Sequence, residues 1–169
     1  MSATEIAEDP TDQSELTPAA AVSARGVVQV RDGRKRHVYL CPMRWSDMDA
    51  FQHVNNVVYL RYLEEARVDW MFHRAAAPGV DEFESFDTVV ARHEIDYKRP
   101  LVYRPEPVRV ETWVTKLAHA SFTVAYEVRD EEIVYATAST ILVPYNLATG
   151  RPRRLSQPER DYLVEYLSA

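Results

Sequence analysis

At 169 residues, with 46% hydrophobic, 11% aromatic and 27% charged side chains, the chain is sized for one globular domain and lies outside the disordered, collagen-like and disulfide-rich classes. Its formal charge of −6 gathers at one end: residues 1–24 hold five acids and no Lys or Arg, leaving 20 basic against 21 acidic residues over 25–169. A pI near 5.4 supplies no basic footprint for a nucleic acid, and the four glycines build no GxGxxG, GxxxxGKS/T or GxSxG, which excludes the common phosphate loops and the hydrolase nucleophile elbow.

Residues 1–24 carry few large apolar groups and no periodicity, so they read as a disordered leader. They also lack a basic region followed by an apolar stretch, so no secretory signal is expected. The segment 25–36 sets five basic residues against Asp32 and reads as a solvated charge run, which places a leader and basic lead-in over 1–35 and the folded domain over 36–169. Strand character begins at His37, and Pro42 argues for an edge or bulge where that strand ends. Cys41 is the one cysteine, so no intrachain disulfide or CxxC site forms; a small buried hydrophobe in a reducing cytoplasm is the expectation.

Asn55 or Asn56 can cap a helix over Val57–Phe72, where Tyr59, Leu60, Leu63, Ala66, Trp70 and Met71 recur at helical spacing. Further apolar positions spread around that cylinder, so the helix should be wrapped and not laid on a surface. Period-two alternation then marks strands over 88–98, 107–117, 121–128 and 133–143, the last three joined by short polar links. A final helix starts at Ser156, with Glu159 at capping-box spacing, and runs through Leu167. The sum is an α+β domain: an antiparallel sheet of about five strands curled round one long helix, with a C-terminal helix. Such a sheet leaves edges to cover, and a homodimer or homotetramer is the simplest cover. No segment approaches ~18 uncharged apolar residues, so no membrane span is expected.

Chemistry concentrates between Arg44 and Arg67, where a strand end, the acidic loop Ser46–Gln52 and a helix N-terminus meet. Acyl transfer needs a carboxylate to attack or to activate water, and fixed amides for the oxygen that becomes negative; the free N–H groups at the start of the Val57 helix can supply the second. Spacing alone equally allows Asp47, Asp49 and the Asn pair to form the turn and cap the helix. His37, His73, His93 and His119 show no HxH or HExxH spacing, so no metal site is expected.

The string Asp47-x-Asp49-x-x-x-His53-Val54-Asn55-Asn56-x-x-Tyr59-Leu60 resembles the signature of hotdog-fold acyl-CoA thioesterases of the 4-hydroxybenzoyl-CoA thioesterase-like family. The resemblance covers roughly Arg36 to Asn146 and also matches the strand order and central helix. It implies that Asp49 is the catalytic carboxylate, as general base or as nucleophile, and that a backbone amide within Asn55–Val57, with Asn56 and Val57 the candidates, holds the oxyanion. Many relatives have Gly where this chain has Gln52. Plant acyl-carrier-protein thioesterases use an Asp-x-Asn-x-His set that Asp49 and His53 match, but Phe51 replaces its Asn.

His53 is a candidate partner of the carboxylate or of water, or a structural bridge; Asn55 and Asn56 cap and orient. Asp47 reads as a turn residue or a partner of Arg44. Another branch of hotdog thioesterases uses a helix-borne Glu, for which Glu64 and Glu65 are the positions here, although Glu65 can equally pair with Arg61. A CoA thioester calls for a basic rim: Lys98, Arg99 and Arg104 are the candidates, with Arg151, Arg153 and Arg154 as a second cluster. Tyr59 and Leu63, with Phe122 and Tyr126, are candidate acyl-pocket walls. The expected activity is hydrolysis of acyl-CoA to free acid and CoA without a bound cofactor. The alternative is a hotdog module that binds acyl-CoA or an acyl carrier protein without hydrolysing it; retention of Asp49 in the full string argues against that. Hotdog dehydratases resemble an Asp-x-Asn-Pro-x-His pattern, and this chain has no Pro there.

Overall fold

The computed structural model describes residues 26–75 and 86–168. In chain order they form β1 (Val27–Arg31), β2 (Arg34–Cys41), a 3-10 turn (Trp45–Asp47), α1 (Asn56–Ala75), β3 (Thr88–Tyr97), β4 (Val108–Leu117), β5 (Phe122–Arg129), β6 (Val134–Asn146), β7 (Arg151–Pro152) and α2 (Gln157–Glu165). The sheet runs β1-β2-β4-β5-β6-β3 with every neighbour antiparallel, and β7 adds a two-residue pairing to β6. It curls around α1, the α+β hotdog arrangement.

Alternation in the strands sets the inner face. Val108, Val110, Thr112 and Val114 of β4 and Phe122, Val124, Tyr126 and Val128 of β5 are buried against α1, while their neighbours face outward. From the helix come Tyr59, Tyr62, Leu63, Ala66 and Trp70, at the spacing that forms one apolar stripe. α2 opens on the Ser156 capping box, in which Glu159 also receives Arg153, and seals the far end of α1 through the Tyr162 hydroxyl, which donates to the Trp70 carbonyl at 3.0 Å. Leu167 lies beyond that helix and bridges to Val114.

The structure corrects the reading of the basic lead-in. Residues 27–41 form a hairpin turned by Asp32 (φ 51°) and Gly33 (φ 74°), so residues 27–35, read as part of the lead-in, belong to the sheet. The Asp-Gly pair is the sequence signal for that turn, because both central residues of such a tight hairpin sit at positive φ. The lead-in cations are also not simply solvated. Arg31 and Arg36, with Arg109 of β4, converge on the buried carboxylate of Glu111, and Arg36 lies over the Trp113 ring at 3.9 Å. Residues 1–24, read as a disordered leader, lie outside the described residues.

Gly26 starts the hairpin at a close approach. Its N–H donates to Asp69 Oδ2 at 2.8 Å, the same oxygen that meets His37 Nε2 at 2.7 Å, and a Cβ there would stand 2.3 Å from the His37 ring and 2.5 Å from Asp69. Gly26→Ala should therefore lower stability by about 1–3 kcal/mol, the usual cost of forcing a methyl into filled space. Thermal denaturation of the two chains checks this; equal melting temperatures would contradict the packing.

Candidate active site

β2 ends before Pro42, and the chain returns to α1 through a loop organised by two aspartates. Asp47 closes the 3-10 turn: its N–H donates to the Arg44 carbonyl at 3.0 Å and its Oδ2 accepts from Arg44 N–H at 2.8 Å. Its carboxylate is buried and also accepts from the Tyr62 hydroxyl at 2.6 Å and from the Arg61 guanidinium. Burial alone would raise its pKa, but the Tyr62, Arg44 and Arg61 hydrogen bonds outweigh that and hold the group below the ordinary carboxylate range. Asp47 is thus the anchor of the loop, and its side-chain partners lie on α1 as well as at Arg44.

Asp49 is the more open of the two, its side chain 20% exposed against 3% for Asp47. The loop folds back so that Asp49 N–H donates to the His53 carbonyl (3.0 Å) and Gln52 N–H to the Asp49 carbonyl (3.1 Å), while Asp49 Oδ1 accepts from Phe51 N–H at 2.8 Å. That leaves Oδ2, which faces His53 Nδ1 at 3.7 Å, beyond hydrogen-bond length. Phe51 stacks on the His53 ring with centroids 6.2 Å apart. Gln52 holds φ 65°, a left-handed conformation that glycine adopts without steric cost, which accounts physically for Gly at this position in relatives.

Asn55 starts the helix. Its Oδ1 accepts from Val57 N–H at 3.0 Å and its carbonyl from Val58 N–H at 2.9 Å. This corrects the candidate oxyanion pair: the Val57 amide is taken by the cap. Among the described residues nothing accepts from Asn56 N–H, so Asn56 carries the open amide of the helix start. Its carbonyl accepts from the Tyr97 hydroxyl at 2.9 Å, tying β3 to the same place.

A cleft of about 300 Å³ gathers Asp49, His53, Asn56 and Tyr59 with Lys98 and Arg99, and adds Val54, Tyr97 and Pro100. Several expected site residues do not line it, the wall candidates Phe122 and Tyr126 and the second basic cluster of Arg151, Arg153 and Arg154 among them. Asn55 and Val57 are engaged in the cap, Leu63 is fully buried in the core, and Arg104 is held by Asp130 at 3.3 Å and the Tyr135 hydroxyl at 3.0 Å. Tyr97, which meets the Tyr59 ring edge-on at 5.2 Å, was not singled out for the site; strand alternation shows that it shares a face with Ile95 but not that this face meets the helix start. Burial pushes the Tyr59 phenol up to about 12, so it stays neutral at physiological pH. Glu65 lies 3.5 Å from the Cys41 thiol and 3.9 Å from Arg61, and Glu64 lies 3.9 Å from Arg67; neither reaches the cleft. Burial, then Glu65, raises the Cys41 thiol, which keeps it protonated. Among the described residues no group of three or more His, Cys, Asp or Glu is placed to hold a metal ion, and no helix is long and apolar enough to cross a membrane.

Residues 43–160 match the family model of the thioesterase-like superfamily. Among solved structures, the chain is similar to a thioesterase from Thermus thermophilus crystallised with coenzyme A and zinc: 32% identical over 76% of this chain and 90% of that one, with a TM-score of 0.61. A candidate acyl-CoA thioesterase from Xanthomonas campestris is 36% identical over 66% of this chain and 92% of that one (TM-score 0.55). A predicted thioesterase from Bacillus stearothermophilus is 26% identical over 79% and 96% (TM-score 0.66). No curated protein matches the chain.

Proposed function

The chain belongs to the thioesterase-like superfamily, and from that premise we propose that it hydrolyses acyl-CoA thioesters to the free acid and CoA, with Asp49 as general base. The observation that carries this reading is the meeting, in one cleft, of an Asp49 carboxylate with one oxygen left open and the unengaged Asn56 N–H of the helix start. The carboxylate takes a proton from water as its oxygen attacks the thioester carbon. The negative charge that forms on the carbonyl oxygen is met by the Asn56 amide and the positive end of the α1 dipole. Collapse of the tetrahedral intermediate breaks the carbon–sulfur bond, and the proton held by Asp49 goes to the departing thiolate. Lys98 and Arg99 line the same cleft and supply positive charge for the CoA phosphates.

The test is release of free thiol from a series of acyl-CoAs of rising chain length by the purified full chain. Turnover supports the reading; tight binding without thiol release would mark a non-catalytic binding module.

Two copies are proposed to pair through β3. This ten-residue strand lies at the end of the sheet and is exposed along nearly all its length, with Val89 39% and Val90 41% exposed. An open strand edge of that length, apolar at Val89 and Val90, is a template for another strand. Light scattering should give twice the chain mass at micromolar concentration, and a monomer there would contradict the pairing.

A further inference from the structure

The inner face of the sheet holds a polar group that an apolar core does not require. Arg67 of α1 is buried, its side chain 8% exposed, with Nη1 3.4 Å from the Tyr126 hydroxyl and Nη2 3.9 Å from Glu64 Oε1. One contact is a long hydrogen bond and the other a loose ion pair, so most of the five N–H donors of this guanidinium meet no protein acceptor at hydrogen-bond distance among the described residues, and those donors are not sealed from solvent. Thr140, buried on the neighbouring strand, meets His93 Nδ1 with its hydroxyl at 2.8 Å. Helix α1 and strands β5, β6 and β3 each contribute one member of this cluster.

Two independent rulers connect the cluster to the cleft. Along α1, Asn56, Leu60, Glu64 and Arg67 follow one another at four- and three-residue steps and so share a face, and the eleven steps from Asn56 to Arg67 span about 16 Å. Along β3, Tyr97, Ile95 and His93 alternate onto one face, and the four steps from His93 to Tyr97 span about 13 Å. The near end of this lane is fixed, because Tyr97 touches both the Asn56 carbonyl and the Tyr59 ring. Its middle is apolar: Leu60 and Ile95 are half-buried against the core, and Ala138 pairs with Ile95 in the sheet. The far end is the polar cluster. α1 packs chiefly on β2 and β4, which leaves this flank toward the sheet edge.

We infer that Arg67, Tyr126, Thr140 and His93 form the distal end of the acyl site and select a thioester whose chain ends in a carboxylate. Such a chain lays methylenes on Leu60 and Ile95 and brings two acceptor oxygens to the Arg67 donors that Tyr126 and Glu64 leave over, the geometry in which charge-assisted hydrogen bonds are strongest. An alkyl chain of the same length ends against the same guanidinium and leaves it unanswered, which is how a buried polar site rejects an apolar analogue. Burial and the Arg67 charge both lower the His93 pKa, with Glu64 opposing, so the imidazole is neutral at physiological pH and does not compete with Arg67 for position.

This inference rests on the acyl-CoA reading above, and its test separates the two. The full chain is assayed with decanoyl-CoA and with the mono-CoA thioester of decanedioic acid, and the binding of each is measured by calorimetry on Asp49→Asn, which needs no turnover. The expected result is a kcat/KM at least about tenfold higher for the diacid thioester, carried by KM and matched by tighter binding. In Arg67→Met that ratio should fall to about one, with Arg67→Lys retaining part of it. If Arg67→Met does not fold, Tyr126→Phe should lower the ratio by removing the hydroxyl beside the guanidinium. A wild-type preference for decanoyl-CoA, or a diacid preference that survives Arg67→Met, overturns the inference. Absence of thiol release from either thioester overturns the hydrolase reading, while the calorimetric ratio still decides the role of Arg67.

Discussion

Asp49→Asn should lower kcat for acyl-CoA hydrolysis by about 10²–10⁴-fold, the usual contribution of a positioned general base. The amide is nearly the same shape as the carboxylate and keeps an oxygen to accept from Phe51 N–H, so the turn that orders the loop survives the change. What it loses is the ability to take a proton from water. The variant should melt close to the wild type, because Asp49 is the more open of the two aspartates and the anchoring bonds of the loop belong to Asp47. The two measurements are thiol release followed with a chromogenic thiol reagent and a thermal melt by circular dichroism. A rate within a few-fold of the wild type would remove Asp49 from the mechanism.

Asp47→Ala should act in the opposite way, on stability first. Its carboxylate is buried and satisfies the Tyr62 hydroxyl, the Arg44 amide and the Arg61 guanidinium, so deletion strands a buried phenol and breaks the turn that leads into Asp49. Breaking a buried charge pair costs about 3–5 kcal/mol. Arg61 is partly exposed and can turn to water, which favours about 2–3 kcal/mol. For a domain of this size that is a fall in melting temperature of about 5–10 °C.

The pH dependence identifies the cause. The folded-state pKa of Asp47 is depressed, so its contribution is fully present above the unfolded-state value of about 4 and is lost as pH falls through the folded value. The gap in melting temperature between wild type and Asp47→Ala should therefore narrow below about pH 4. Asp130, held down to about 2 mainly by the Tyr135 hydroxyl, loses its contribution over the same acid range in both proteins and cancels from the comparison. A gap that stays constant down to pH 3 would show that the charge is not what stabilises the loop.

Much of this architecture could be read from single residues. Phe122, Val124, Tyr126 and Val128 alternate because one sheet face meets the helix, and Ser156 with Glu159 marks a helix start by local hydrogen bonding alone. The motif string marked the loop that the structure places at the cleft. It did not separate its two aspartates: both are Asx residues in a turn, and only burial among Tyr62, Arg61 and Arg44 makes Asp47 an anchor while Asp49 stays open. Nor did it separate the helix amides, since the Asn55 side chain can serve one N–H or another until its rotamer is set; here it takes Val57 and leaves Asn56.

Net charge misled in one place and informed in another. A basic stretch next to an acidic one suggested a solvated lead-in, whereas Arg31 and Arg36 are bound to Glu111, some 75 to 80 residues away in sequence. Lys98 and Arg99 reach the cleft because β3 ends beside the helix start, while Arg104, five residues further along, meets Asp130. Periodicity, capping signals and the acidic motif are local or short-range patterns, and they were sufficient for the fold class and for placing the acidic loop beside the helix start. Which carboxylate is buried, which amide is open, which cation faces the cleft and where Arg67 comes to rest depend on side chains distant in sequence meeting across a curled sheet. That outcome is set by packing, which no spacing rule along the chain encodes.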